Sequence, residues 1–179
     1  MKFRISVRLA GLVGAFGLCA ALVPGAAGAT TSTGTLHSTV SVIQNCTVAN
    51  QNLAFPNYDP ISANAASGAD DTTSALLSFS CTKGSSSIYV TADQGLHHAS
   101  AVGTTRAMSD GTNAISYELY TDSGYSNVWN TTNNGTNDYQ PNFSTSSSAS
   151  ATVYGLIPKG QDAVKSTGYA DDVTMTINF

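Results

Sequence analysis

Apolar and polar residues alternate along two stretches that lie near opposite ends of this chain. In residues 169–179 the apolar positions of the alternation are Val173, Met175, Ile177 and Phe179. In residues 35–43 they are Leu36, Val40 and Val42. A period of two places alternate side chains on opposite faces of a strand, so each stretch predicts a β-strand with one apolar face.

Short β-prone runs separated by turn signals fill the chain between these two stretches. Turns are indicated by Asp59-Pro60, Asp110-Gly111 and Asn134-Gly135, and no helical period is sustained anywhere. This pattern predicts an all-β fold, and a sandwich in particular. The further strands are predicted at residues 48–55, 74–81, 88–91, 114–121 and 149–154.

Residues 130–148 are polar and nearly free of aliphatic side chains. We expect them to form a long exposed loop that Tyr139 and Phe143 hold to the body of the protein.

The first residues have the pattern of a secretory signal peptide. Lys2, Arg4 and Arg8 precede an apolar run at residues 9–23, Pro24 interrupts it, and Ala27-Gly28-Ala29 offers a small-residue cleavage site. A membrane anchor is the alternative, but the run is shorter than the roughly 20 residues that span a bilayer. We therefore expect residues 1–29 to be removed, leaving an exported mature chain from Thr30 to Phe179 without a membrane span.

Charge disfavours a nucleic-acid partner. The whole chain has a formal net charge of −4, and loss of the signal peptide leaves four basic residues against eleven acidic ones, a net charge of −7. Such a surface repels phosphate backbones. The remaining basic residues form no patch along the sequence: they are Lys83, Arg106, Lys159 and Lys165.

The expected export also determines which cysteines remain in the mature chain and whether they form a disulfide. Cys19 leaves with the signal peptide, so Cys46 and Cys81 remain. Two cysteines in an oxidising compartment most simply form one disulfide, with two buried free thiols as the alternative. Closing the loop between Cys46 and Cys81 should stabilise the fold by about 3–4 kcal/mol.

No catalytic, metal or cofactor site is indicated by the residues, so we expect a non-enzymatic protein without a cofactor. His97-His98 has no Cys or His at ligand spacing nearby. The carboxylate pairs Asp70-Asp71 and Asp171-Asp172 are neighbours along the chain, whereas glycosidase carboxylates face each other across a sugar. Trp129 with Tyr117, Tyr120 and Tyr125 could form a sugar platform, but packing of these rings is the more ordinary interpretation.

The two ends of the mature chain both suggest strand pairing with something else. No residue follows Phe179 in this sequence, so the free side of the last strand is either an edge or is covered by another segment. The strand predicted at residues 35–43 follows a short polar lead, residues 30–34, and could pair outside its own domain.

Motifs spread over the mature chain resemble the spore coat protein U domain family, which includes the pilin subunits of archaic chaperone–usher pili. The early ones are residues 42–48 (VIQNCTV), Leu53-Ala54-Phe55, Tyr58-Asp59-Pro60 and residues 79–84 (FSCTKG). The later ones are Arg106-Ala107-Met108, residues 116–122 (SYELYTD), residues 153–158 (VYGLIP), Gln161 and residues 168–179 (GYADDVTMTINF). Pro56-Asn57 departs from the family, in which a glycine usually follows the phenylalanine.

This resemblance implies an incomplete, immunoglobulin-like, pilin-type sandwich that lacks its last strand. It implies that residues 44–179 are the domain and residues 30–43 a donor strand. The donor face would be Leu36, Val40 and Val42, and the acceptor groove would be lined by Val173, Met175, Ile177 and Phe179.

The implied function is that of a structural pilus subunit that supports adhesion or biofilm formation. Its partners would be copies of itself or related pilins, a periplasmic chaperone and an outer-membrane usher, and it would end at the cell surface. The alternative is a secreted monomeric module that binds a surface coat or carbohydrate and uses residues 36–42 within its own sheet.

Overall fold

The computed structural model of the protein describes residue 28 and residues 30–179. The predicted signal peptide, residues 1–29, lies outside the described residues except for Gly28. The chain divides into two units, Met1–Val40 and Ser41–Phe179. In the first unit the described residues form no strand or helix, and all described strands belong to the second.

The second unit contains two antiparallel β-sheets. The larger sheet has five strands in the order β1-β2-β6-β5-β4, and the smaller pairs β3 with β7. A short 3-10 helix, His98–Ser100, follows β3. The strands are β1 (Cys46–Val48), β2 (Asp71–Cys81), β3 (Tyr89–Ala92), β4 (Arg106–Ser109), β5 (Ala114–Tyr120), β6 (Ser148–Ile157) and β7 (Met175–Asn178).

The pairing of β2 with β6 forms the centre of the large sheet and runs from Asp71↔Ile157 to Ser80↔Ser148. The residues of β2 near its end alternate strictly, with Leu77, Phe79 and Cys81 buried and the residues between them exposed. Cys46 lies opposite Cys81 in the pairing of β1 with β2, and the two form a disulfide. The predicted Cys46–Cys81 disulfide is therefore confirmed.

One apolar core lies between the two sheets. Val90 from β3, Phe79 from β2 and Val153 from β6 belong to the same buried cluster, and Trp129 lies at its centre with no exposed surface. The indole nitrogen of Trp129 donates a 2.9 Å hydrogen bond to the carbonyl of Val90. The ring is thus part of the core, as expected from the ordinary packing interpretation of these aromatics.

An ion pair is also buried in this unit. Arg106 of β4 donates from Nη1 to Oε1 of Glu118 on β5, and both side chains are almost fully buried. The guanidinium also donates to the carbonyls of Asp93 and Trp129. A buried guanidinium is tolerated only when its donors find acceptors, so this set of contacts ties β4 to the core.

The predicted all-β fold class is confirmed, but the strand predicted at residues 48–55 is wrong beyond Val48, because residues 49–59 form no strand. β4 was not predicted, because its four residues are few and Arg106 makes them look polar. The last strand is shorter than predicted, since only Met175–Asn178 form a ladder, and before them Ala170 makes one isolated antiparallel bridge with Ser109 of β4. The strand predicted at residues 35–43 is absent from the described structure: these residues form no strand.

The prediction for residues 130–148 is confirmed at its two aromatic residues. Phe143 is buried, and Tyr139 stacks on Phe79 with ring centroids 5.6 Å apart. The backbone of Tyr139 also exchanges two hydrogen bonds with Val90 of β3, at 2.7 and 3.0 Å. These contacts cover one edge of β3, while β7 pairs with the other.

Candidate functional site

A groove of about 570 Å³ lies between β1 and β7. Val48 of β1 lines one side and Met175 of β7 the other. Among the described residues, β1 pairs only with β2 and β7 pairs only with β3, so each of the two strands has an edge without a partner strand. Unpaired strand edges beside an apolar groove are the features that accept an added strand.

The floor of the groove and parts of its two walls are apolar, while Asn50, Gln51 and Asn52 add polar side chains to the lining. The floor comes from the large sheet, and its members are Leu77, Leu119 and Val153 with the ring of Tyr117 and Met108. The wall on the β1 side continues past the strand to Leu53 and Phe55, and the wall on the β7 side is Val173 and Met175. One end is polar, since Asp171 and Asp172 line it.

Gly155 of β6 allows the β1-side wall to lie against the sheet. A Cβ atom at this position would lie 2.6 Å from the ring of Phe55 and 2.8 Å from the side chain of Leu53. Real side chains do not approach a Cβ atom so closely, so any larger residue would displace this wall. Phe55 in turn packs edge-on against Tyr117, with centroids 6.0 Å apart.

The carboxylate of Asp171 joins three parts of the chain at the polar end of the groove. Oδ2 accepts a 2.8 Å hydrogen bond from the hydroxyl of Tyr117, and Oδ1 accepts from the backbone N–H of Leu96 at 2.9 Å and of His97 at 3.2 Å. The ring of His97 lies 3.1 Å from the same oxygen through Nδ1. Burial, followed by the hydrogen bond to Asp171, raises the pKa of Tyr117, so its hydroxyl remains a donor.

A second carboxylate fixes the chain just before β7. Oδ1 of Asp93 accepts from the backbone N–H groups of Gly95 and Thr174, both at 2.9 Å, and the N–H of Asp93 donates to the carbonyl of Thr174. Burial raises the pKa of Asp93, but these hydrogen bonds outweigh burial and lower the pKa overall. The approach to β7 is therefore held on the side facing β3.

The residues predicted to line an acceptor groove lie in two environments. Val173 and Met175 line the groove. Ile177 packs against the core cluster, and Phe179 has 57% of its surface exposed; neither lines this groove. The predicted alternation is present in this segment, since Thr174 and Thr176 between the apolar residues are exposed.

The apolar residues of the predicted donor face are exposed. Leu36 and Val40 each have 90% of their surface exposed, and Val42 has 77%. Apolar side chains at this exposure gain nothing from the fold of their own chain, whereas burial would stabilise each by about 1.5–3 kcal/mol.

The backbone just after Val42 is fixed to the domain. The Thr82 hydroxyl donates to the carbonyl of Ile43 at 3.0 Å and accepts from the N–H of Asn45 at 3.1 Å. The N–H of Thr82 donates to the carbonyl of Asn45 at 2.9 Å. The chain is therefore anchored one residue after the last apolar position of the predicted donor face.

The sequence patterns missed the β1 side of the groove and its floor. Val48, Leu53 and Phe55 have no regular spacing, so only the general β-propensity of residues 48–55 pointed to them. The places of Leu53 and Phe55 depend on Gly155, which is distant in sequence. Tyr117 and Asp171 were noticed as residue types, but their hydrogen bond could not be read from spacing.

The other chemistry-bearing residues form no metal-ligand set within the described residues. His98 is exposed and its ring contacts the carbonyl of Gly95 at 3.1 Å. Residues 28 and 30–179 contain no group of three side chains arranged to hold a metal ion. In the same part of the chain, no helix has the length and apolar character needed to cross a membrane.

Comparisons with known proteins agree on one family. The sequence model of the Spore Coat Protein U domain matches residues 32–176. Protein U of Myxococcus xanthus is 33% identical over 163 residues, which cover 84% of this chain and 87% of that protein.

Among solved structures, this chain is similar to a chain of the CsuC–CsuE chaperone–tip adhesion subunit pre-assembly complex from archaic chaperone–usher Csu pili of Acinetobacter baumannii. The TM-score is 0.49 at 16% sequence identity. The match covers 78% of this chain but only 41% of that one.

Proposed function

Because the chain belongs to the Spore Coat Protein U domain family, we propose that it is a structural subunit of a surface pilus assembled by strand donation. The apolar face of one copy, Leu36, Val40 and Val42, fills the groove of the next copy between β1 and β7. The observation that carries this proposal is the groove itself, bounded by two strand edges that lack partners in the described structure.

The energies are in the range that such an assembly needs. Three buried Leu or Val side chains supply about 5–9 kcal/mol. Main-chain hydrogen bonds to the free edges add affinity, and the alternate side chains set the register. This total is comparable with the 5–15 kcal/mol that stabilises an ordinary domain. A subunit with an empty groove is therefore marginal.

That marginal state accounts for the assembly partners. An apolar groove with free strand edges is an aggregation hazard until it is covered. A periplasmic chaperone covers the groove after export. At an outer-membrane usher, the donor segment of the next subunit then replaces the chaperone. The protein then resides in a pilus at the cell surface, where it supports adhesion or biofilm formation. Its role is structural, not catalytic.

A deletion tests strand donation directly. Mature protein that lacks residues 30–43 should fold with its chaperone but fail to form fibres, as seen by electron microscopy. A synthetic peptide of residues 30–43 should bind the groove of that truncated protein and raise its melting temperature. If the truncated protein assembles as well as the intact chain, strand donation is wrong, and a secreted monomeric module becomes the better interpretation.

A further inference from the structure

We propose a second contact between copies, an ion pair at the polar end of the groove between Asp172 of the accepting copy and Lys83 of the donating copy. The inference rests on the proposed strand donation and deepens it, because it names residues outside the groove's apolar surface that select and align the partner. The partner is a second copy of this chain.

The first step is the direction of the donor strand. Every strand pair among the described residues is antiparallel, and antiparallel pairs are slightly more stable than parallel ones. A donor antiparallel to β7 brings the end of its apolar face, Val42, to the beginning of the β7-side wall, Val173. Val40 then lies opposite Met175, because both segments advance by two residues for each inward side chain.

The second step is the short distance between the donor strand and the body of its own copy. With Val42 beside Val173, the next residue of the donor, Ile43, comes beside Asp172 of the accepting copy. The carbonyl of Ile43 is hydrogen-bonded to Thr82 of its own domain at 3.0 Å. No flexible linker separates the two copies at this point, so the surface around Thr82 must lie against the polar end of the groove.

The third step is charge. Lys83 follows Thr82 directly and is exposed, and Asp172 is exposed at the groove end. Neither has an ionic or hydrogen-bond partner among the residues that the structure describes. Between residues 30 and 58 the chain has no Asp, Glu, Lys or Arg, and Lys83 is a cation directly beside Thr82, which anchors the donor segment. Neighbouring strands lie about 4.8 Å apart, which a flexible four-carbon side chain bridges easily.

The neighbouring acid does not compete for this lysine. The side chain of Asp171 is only 1% exposed and is already engaged by His97 and Tyr117. Of the two carboxylates at the groove end, Asp172 is therefore the one available to a second copy. A pair at the rim of an interface acts mainly on the association rate and on its salt dependence.

The test measures association between two kinds of mature protein. The accepting copy carries Val40→Asp and Val42→Asp, so it cannot donate. The donating copy has its own groove filled with the peptide of residues 30–43. The rate of dimer formation is followed by fluorescence transfer between labelled copies, at low salt and at about 1 M NaCl, where the Debye length is about 3 Å.

Asp172→Lys in the accepting copy should slow dimer formation by about three- to tenfold at low salt. Lys83→Asp in the donating copy should restore the rate to within about twofold, and about 1 M salt should remove the difference. Asp162→Lys and Lys165→Asp are the matched controls. Both residues are exposed, and the substitutions change the net charge by the same amounts as those at Asp172 and Lys83. If Asp172→Lys does not fold, the milder variants Asp172→Asn and Lys83→Gln replace it. Dimer formation with both substitutions should then be no slower than with either one alone.

The free peptide of residues 30–43 distinguishes the two ways of failing. It contains the donor face but not Lys83, and with its C-terminus amidated it carries no charge beside residue 172, so Asp172→Lys should change its affinity by less than about twofold. The ion pair is overturned, and strand donation is left intact, if the peptide still binds but Asp172→Lys does not slow dimer formation. The same holds if the peptide binds but Lys83→Asp does not restore the rate. A peptide that does not bind the unmodified groove overturns strand donation, and this inference with it.

Discussion

The hydroxyl of Tyr117, in the middle of β5, donates a 2.8 Å hydrogen bond to the carboxylate of Asp171, just before β7. This bond joins the floor of the groove to the segment that becomes its β7-side wall. It therefore ties the large sheet to the small one at the point where a donor strand would enter or leave.

Tyr117→Phe should lower the free energy of unfolding by about 1.5–3 kcal/mol, because a buried hydrogen bond to a charged acceptor is lost while the ring is kept. Urea denaturation would measure the change. Tyr154→Phe is the control, since its hydroxyl has no hydrogen bond among the described residues and the loss should be below about 0.5 kcal/mol. Equal losses in both variants would show that the bond to Asp171 contributes nothing specific.

Gly155→Ala should destabilise the protein by about 1–3 kcal/mol, because the added methyl group overlaps Phe55 and Leu53. The displaced wall should also weaken binding of the peptide of residues 30–43. Thermal unfolding and fluorescence anisotropy would measure the two effects. Gly168→Ala is the matched control, since the nearest atom to its new Cβ lies 3.8 Å away; an equally large effect there would contradict the steric argument.

Cys46→Ser should lower the free energy of unfolding by about 3–4 kcal/mol, because the denatured chain regains the freedom of a loop with a sequence separation of 35 residues. This is a large share of the stability of a domain, so the exported yield should fall sharply. Quantitative blotting of periplasmic extracts would measure it, with Thr47→Ala, an exposed neighbour, as the control. Normal yield from Cys46→Ser, or free thiols in the mature protein, would refute this expectation.

Val40→Asp and Ile177→Asp place the same charge in two different environments. Val40 is exposed, so its substitution should change stability by less than about 0.5 kcal/mol. It should nevertheless abolish fibre growth, because the donor face would have to bury a carboxylate. Ile177 packs against the core, so Ile177→Asp should cost about 3 kcal/mol or more and impair the subunit itself. Calorimetry and electron microscopy separate the two outcomes, and fibres of Val40→Asp would exclude the proposed donor face.

Asp110 gives the turn between β4 and β5 a dependence on pH. Hydrogen bonds from the backbone N–H groups of Asn113, at 2.7 Å, and Thr112, at 3.0 Å, lower the pKa of Asp110 to about 2. A depressed carboxyl pKa contributes stability that is present above the ordinary value of 3.8 and is lost as the pH falls through about 2.

An NMR titration of the Asp110 carboxyl carbon should therefore show a midpoint near pH 2. Asp110→Asn should reduce the loss of stability between about pH 4 and pH 2, because the neutral amide keeps an acceptor but does not titrate. Asp162→Asn, at an exposed position, is the control. A midpoint at the ordinary value of 3.8 would mean that the turn does not favour the charged form.

Local sequence patterns determined two kinds of feature: the faces of a strand, which follow from a period of two residues, and the cysteine pair, which follows from an oxidising compartment. The alternation from Val173 to Ile177 predicted which side chains are covered, because a period of two fixes the faces of an extended chain wherever it packs. The cysteine pair followed from the predicted export signal, since the predicted cleavage leaves only two cysteines. The motifs of the mature chain were specific enough to indicate the family that the comparisons then showed.

Only the tertiary structure decided what the groove is made of. The strand β4 looked polar in sequence because it contains Arg106. The residue that neutralises this arginine, Glu118, lies on another strand. Val48 and Phe55 have no periodic spacing, and Phe55 lies in the wall because Gly155 leaves room for its ring. Asp171 became a junction because Tyr117 and His97 converge on it from separate loops and strands. Contacts of this kind join residues far apart in the chain, and their geometry depends on the packing of both sheets, which no local pattern contains.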